Sequence, residues 1–188
     1  MTQKTLFFDV ETTGLDYKKH SIIQFAGIME YDGEEVDRIS VKFQPFDEAE
    51  IDEEALKASG NTPEDILGYM SHTEGFAVIE GFLDKHCNKF DKTDKMWAGG
   101  YKVLFDLEFL EALFRYNGCK YGIGSYFNWR RVDALYILYS MGWCEMIDVE
   151  NYKLETVCKS LNIPLLYAHD ALCDIEATRA IIKKLLKK

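Results

Sequence analysis

An α/β domain built on a mixed sheet is the fold class this sequence predicts, and three observations predict it. Three strand-like runs stand together near the N-terminus, the second and third joined by Asp32-Gly33, a two-residue hairpin signal. Beyond them, short strands alternate with helical patterns, the sequence form of βα units. A length of 188 residues with 47% hydrophobic residues supplies a sizeable core, and residues 1–188 read as one domain. The expected sheet has three antiparallel strands plus shorter parallel strands, flanked by helices.

The elements follow in order. Residues 4–10 read as a strand, residues 21–31 as a second, and Val36 to Phe43 alternates well enough for a third. Residues 47–58 are acidic and read as helix until Ser59-Gly60-Asn61 breaks the chain. Thr62 as N-cap with Pro63 at the first helical position starts another helix. Residues 74–87 suit an amphipathic helix with Phe76, Ile79, Phe82 and Leu83 inward. Met96-Trp97-Ala98 reads as a short strand before Gly99-Gly100. Residues 103–116 form a strong helix pattern with Leu104, Leu107, Leu110, Leu113 and Phe114 on one face. Tyr121 to Trp129 is aromatic and glycine-bearing, so a loop is expected. Arg131-Val132-Asp133 reads as a short strand feeding a helix from Ala134 to Met141. Tyr152 to Leu161 and Ala171 to Leu186 close the chain as helices.

Composition narrows the function. No stretch approaches the roughly 18 apolar residues a membrane span needs, so no membrane partner is expected. Met1-Thr2-Gln3-Lys4 runs straight into a strand without a signal-peptide pattern. Five scattered cysteines (Cys87, Cys119, Cys144, Cys158, Cys173) include no Cys-x-x-Cys pair, which fits reduced thiols in a cytoplasmic protein. Cys158 and Cys173 sit in apolar helical patterns and are expected in the core. The net charge of −10 argues against a broad phosphate-binding surface. A small, local anion contact needs few basic residues, and bound divalent ions supply positive charge locally. Lys18, Lys19, Lys102, Arg130 and Arg131 are the basic residues placed to help. Lys183, Lys184, Lys187 and Lys188 suit the negative end of a helix dipole.

Chemistry concentrates at a few acids. Asp9 and Glu11 are two apart at the end of an apolar strand, so both project from one face. Neighbouring carboxylates repel unless a cation lies between them, and oxygen-only pairs suit Mg²⁺ or Mn²⁺. Alone, a strand end meeting solvent explains the pair equally well. Asp106 is a first-turn acid in an otherwise apolar helix start, a position capping also explains. His169 lies just before the last helix, Asp170 fits as its N-cap, and Asp174 follows on the second turn. A solvent-facing histidine and a helix acid near the positive dipole end are the ordinary alternatives. Asp133 reads as a structural hydrogen-bonder beneath these groups rather than a ligand.

Phe8-Asp9-Val10-Glu11-Thr12-Thr13-Gly14-Leu15, Phe105-Asp106-Leu107-Glu108-Phe109-Leu110 and His169-x-Ala171-x-x-Asp174 together resemble the three motifs of DnaQ-like 3′–5′ exonucleases. The branch resembled has a histidine in the last motif and is called DEDDh. Ser59 to Glu64 and Leu154 to Cys158 add lesser matches, so the resemblance covers essentially the whole chain. It implies an RNase H-like fold with two metal ions, Mg²⁺ or Mn²⁺, held by Asp9, Glu11, Asp106 and Asp174. It implies His169 as general base for an attacking water. It places Thr12, Thr13, Leu15 and Phe105 at the substrate, Leu15 wedging against the terminal base. Where family members often carry an asparagine after His or Tyr, this chain has Gly100-Tyr101-Lys102, so Lys102 either meets a substrate phosphate or points to solvent.

The expected reaction is phosphodiester hydrolysis at the 3′ end of single-stranded DNA, releasing nucleoside 5′-monophosphates, with a DNA polymerase or other replication protein as a possible partner. RNA ends or short oligoribonucleotides are the alternative substrate, because the distinction rests on contacts to a 2′-hydroxyl. A silent nucleic-acid-binding adaptor on the same fold is the alternative of another class, but it would have no need of five intact chemical residues.

Overall fold

The computed structural model describes residues 2–166 and 170–186. Five strands form one mixed sheet in the order β3-β2-β1-β4-β5, where β1 is Lys4–Thr12, β2 Ile22–Tyr31, β3 Glu34–Lys42, β4 Met96–Gly100 and β5 Phe127–Asp133. β1, β2 and β3 pair antiparallel, while β4 and β5 add parallel strands on the other side of β1. The expected α/β mixed sheet is therefore present. The Asp32-Gly33 turn has positive φ at both residues (52° and 92°), the condition for a tight hairpin matching the strand twist.

Among the described residues seven α-helices pack around the sheet: α1 Glu53–Ala58, α2 Pro63–Leu67, α3 His72–His86, α4 Val103–Tyr116, α5 Ala134–Trp143, α6 Leu154–Ser160 and α7 Ala171–Leu186. The period of two along β1 sorts its side chains between two cores. Leu6, Phe8 and Val10 join the core under α3 and α4. Phe7, one residue out of phase, joins the core under α5, α6 and α7. Phe8 lies 5.7 Å from each of the Phe25 and Phe127 rings, so truncating it to Ala would cost ~3–5 kcal/mol.

Several boundaries differ from expectation. Residues 47–52 are not helical; α1 starts only after Asp52, whose carboxylate accepts from the Glu54 amide as N-cap. The segment before it is spent on the β1–β2 loop, through Glu50 N–H to Lys19 O and Asp52 N–H to Thr13 O. Leu104 is 38% exposed rather than inward, because at 100° per residue it shares the direction of Glu108 and Glu111, and Phe109 takes a core place instead. The expected loop at 121–129 holds a 3-10 turn, Gly122–Ser125, and the first half of β5. Four residues of β5 there span what two residues of β4 span, and this bulge hides the alternation. β4 runs on through Gly99 and Gly100, since a Cβ at Gly99 would sit 2.4 Å from the Phe7 ring on β1. Cys158 is buried as expected, but Cys173 is only partly so.

α7 is clamped to the sheet by charge as well as packing. Arg179 donates through Nε and Nη2 to Glu30 of β2 (2.8 and 2.5 Å) and through Nη1 to Glu35 of β3 (2.8 Å). Both Arg179 and Glu30 are largely withdrawn from water. Among the described residues no helix is long and apolar enough to cross a membrane.

Candidate active site

The alternation that buries Phe7 under α7 puts Asp9 and Glu11 on the same face of β1, at its C-terminal end. α7 starts beside that end and carries Asp174 in its first turn. Asp170 caps α7 as expected, its Oδ1 accepting from the Cys173 amide at 3.1 Å. Asp106 arrives from the opposite layer. It lies in the first turn of α4, 2% exposed, and its Oδ1 accepts from the Val10 amide between the two β1 acids (3.1 Å).

The four acids feel one another. Burial pushes the Asp9 carboxyl well above its ordinary value, and the charges of Asp106, Glu11 and Asp174 push the same way. Glu11 is raised to about 7, first by burial, then by Asp174 and Asp170, with Lys42 opposing. Asp106 is raised to about 8, chiefly by burial; the Val10 amide and its own backbone N–H pull it down, while Asp133 and Glu11 raise it. Lys42 and Asp170 were missed as contributors to this field. The signal for Lys42 was strand register, since Glu11 pairs with Gln24 and Gln24 with Lys42.

The donors are carboxylate oxygens in a partly desolvated cluster of like charge, which fits hard divalent cations of the Mg²⁺ or Mn²⁺ type. Among the described residues, no three acidic, histidine or cysteine side chains yet converge at ligating spacing on one centre. The fit therefore rests on donor chemistry and mutual repulsion rather than on a closed cage. His169, the expected base, lies outside the described residues.

Asp133 does what its position suggested, and more. Oδ1 accepts from the amides of Lys102 (3.1 Å), Leu135 (3.0 Å) and Tyr136 (3.4 Å), and Oδ2 from Val103 (2.9 Å). One carboxylate thus caps α4 and α5 together. Lys102, the residue before α4, adopts a left-handed backbone (φ 63°, ψ 40°) that a non-glycine residue rarely takes. Its side chain is exposed, with Nζ 5.9 Å from the centre of the Phe105 ring.

The expected substrate residues divide into two kinds. Leu15 is 80% exposed on the β1–β2 loop, and Phe105 is half-buried beside Asp106. Thr12 and Thr13 are buried. The Thr12 hydroxyl donates to Gly14 O (2.7 Å). The Thr13 hydroxyl donates to Glu50 O (2.7 Å) and accepts from the Ser21 amide (3.0 Å), which holds the loop in shape. Gly14 has a steric reason, because a Cβ there would meet the His20 ring at 2.2 Å.

The chain matches an exonuclease family model, that of the RNase T type, over residues 6–182. It belongs to the DnaQ-like 3′–5′ exonuclease family. A curated relative, the PolC-type DNA polymerase III of Bacillus cereus, is 28% identical over 185 residues, covering 96% of this chain but 11% of that polymerase. The chain thus spans about a tenth of the length of the curated relatives it matches. Among solved structures, E. coli Exonuclease I in complex with a dT13 oligonucleotide superposes with a TM-score of 0.81 at 23% identity, over 97% of this chain and 41% of that one. The zinc-ion-bound form of the E. coli enzyme with single-stranded DNA gives 0.80 at 22% identity, over 100% and 42%. These likenesses establish the RNase H-like fold of this family member.

Proposed function

We propose that this chain is a metal-dependent 3′–5′ exonuclease that removes nucleoside 5′-monophosphates from the 3′ end of single-stranded DNA. The observation that carries the reading is the meeting of four carboxylates from β1, α4 and α7 in one partly buried field, each element bringing the acid its motif requires. The dT13 strand on the structural neighbour favours single-stranded DNA.

Asp9, Glu11, Asp106 and Asp174 would hold two Mg²⁺ or Mn²⁺ ions, which supply Lewis acidity at the scissile phosphate and charge against its departing oxygen. The protein's own residues do the rest. Asp106, fixed to the Val10 amide, keeps its carboxylate at the end of β1. His169 takes the proton of the attacking water, a task suited to an imidazole of ordinary pKa ~6.5. Leu15 and Phe105 bracket the terminal base, and the β1–β2 loop, braced by Thr13, presents the main chain of Thr12 to the 3′-hydroxyl. Lys102, at the mouth of α4, is a point charge for a substrate phosphate.

The test is release of mononucleotides from labelled single-stranded DNA and RNA of equal sequence, with Mg²⁺, Mn²⁺ or chelator, alongside Asp9→Ala. Metal-dependent release from the DNA 3′ end, absent in the variant, is the expected result. Faster loss from RNA would move the substrate to RNA ends. No release from either by folded protein would leave a binding adaptor.

A further inference from the structure

A groove of about 840 Å³ begins where the candidate active site ends and runs along the outer face of α4. Leu104 and Leu107 floor it nearest the site, flanking Phe105 and Asp106 in the chain. Tyr17 and Lys18, following Leu15 on the β1–β2 loop, form one wall. Tyr116 closes the far end with its ring 4.7 Å from that of Phe46, and Arg131 of β5 reaches in from the other side. From Leu104 to Tyr116 the helix rises about 18 Å. Rings join the site to the groove: Phe105 lies 4.8 Å from Phe109, and Phe109 lies 6.4 Å, edge-on, from Tyr17.

We infer that this groove binds the single-stranded nucleic acid lying upstream of the terminal nucleotide, stacking its bases on Tyr17 and Tyr116 and meeting its phosphates with Lys18 and Arg131. The inference rests on the exonuclease reading and extends it from the scissile end to the rest of the strand. Its walls combine what binds an unpaired strand without reading sequence: aromatic faces for bases and cations for the backbone. The charge pattern is local. In a chain of net charge −10, Lys18 and Arg131 are both exposed and neither is in an ion pair among the described residues. Of the two acids lining the groove, Glu111 is held by Arg115 (2.6 Å) and the Ile123 amide (2.8 Å), which leaves Glu108. Tyr116 is 50% exposed, and its hydroxyl donates to Glu48, so the phenol is anchored while its ring stays available.

Two readouts on the same 188-residue chain separate this inference from the reading beneath it. The first is the affinity, in chelator, for fluorescent thymidine di-, tetra- and octanucleotides by anisotropy. The second is metal-dependent hydrolysis of the p-nitrophenyl ester of thymidine 5′-monophosphate, which occupies only the terminal site. The inference expects affinity to rise with length, and the Tyr116→Leu/Arg131→Gln variant to bind the octanucleotide about tenfold or more weakly than wild type. It expects that variant to bind the dinucleotide and turn over the ester as wild type does. A variant that keeps the full length dependence overturns the groove, as does wild-type affinity that is flat with length. Equal losses on the ester and the octanucleotide would assign the two residues to folding and overturn it too. An ester left intact by wild type would sink the exonuclease reading while length-dependent binding upheld the groove.

Discussion

Burial and neighbouring charge raise the carboxyls of Glu11 and Asp106, and this has a sign that stability measurements can read. Their folded values of about 7 and about 8 lie above the ordinary carboxylate range of about 4. The folded metal-free protein therefore binds more protons than the unfolded chain between those values. The stabilising contribution is complete below about pH 4 and is lost as pH rises through 7 to 8. In chelator, melting temperature should fall between pH 5.5 and 8.5 on this account, and Mg²⁺ or Mn²⁺ should reverse the fall. Asp9→Asn, which removes a charge from the centre of the field, should abolish nucleotide release yet melt higher than wild type in chelator at pH 8. Calorimetry with and without metal checks both; an Asp9→Asn protein that melts lower would make the acid a structural group. The shared face of Asp9 and Glu11 was legible because a strand alternates strictly, whereas Asp106, on a helix, was singled out by the family resemblance. Lys42 was not legible, since it lies 31 residues away in sequence and meets Glu11 only through the register of β1, β2 and β3.

Two elements of the site are steered by single side chains. α4 and α5 both start on the Asp133 carboxylate, so Asp133→Ala would strand four amide donors. The expected cost is ~2–3 kcal/mol in urea denaturation, with a larger fall in turnover than in ester binding, because Lys102 and Asp106 ride on α4. Equal stability would show that water replaces the cap without loss. α7 depends on Arg179 in the same way. Arg179→Ala leaves Glu30 buried with only the longer Lys183 contact (3.4 Å) and should cost ~2–3 kcal/mol, whereas Arg179→Met with Glu30→Met should recover much of that. A double variant as unstable as the single one would argue against the ion pair as the cause. Two helix starts were well marked in the sequence: Thr62 and Pro63 open α2, and α4 occupies residues 103–116 as its periodicity implied. What was hidden had physical causes of its own. Leu104 broke the apolar stripe for the groove, and the β5 bulge turned alternating residues into an aromatic run resembling a loop.

At the scale of the whole molecule, a net charge of −10 limits how strongly any polyanion is held away from the site. With only a few cations at the groove and α4, few phosphates are neutralised, so the slope of log affinity against log salt should be shallow, about −1 to −3. Digestion in the presence of excess unlabelled trap strand should stop after few nucleotides per encounter; a steep salt slope with long unbroken runs would overturn this. The order of the sheet carries one more consequence. β1 is its central strand and supplies two of the acids from the first eleven residues, while the fourth waits on α7, beginning at Ala171. A ribosome making this chain therefore releases Asp9 and Glu11 early and Asp174 last. A nascent or truncated product that stops short of that helix carries most of the motif but lacks an acid, and also leaves the Phe7 side of its sheet only partly covered, by α5 and α6. Such fragments would be aggregation-prone and would lack one carboxylate of the site.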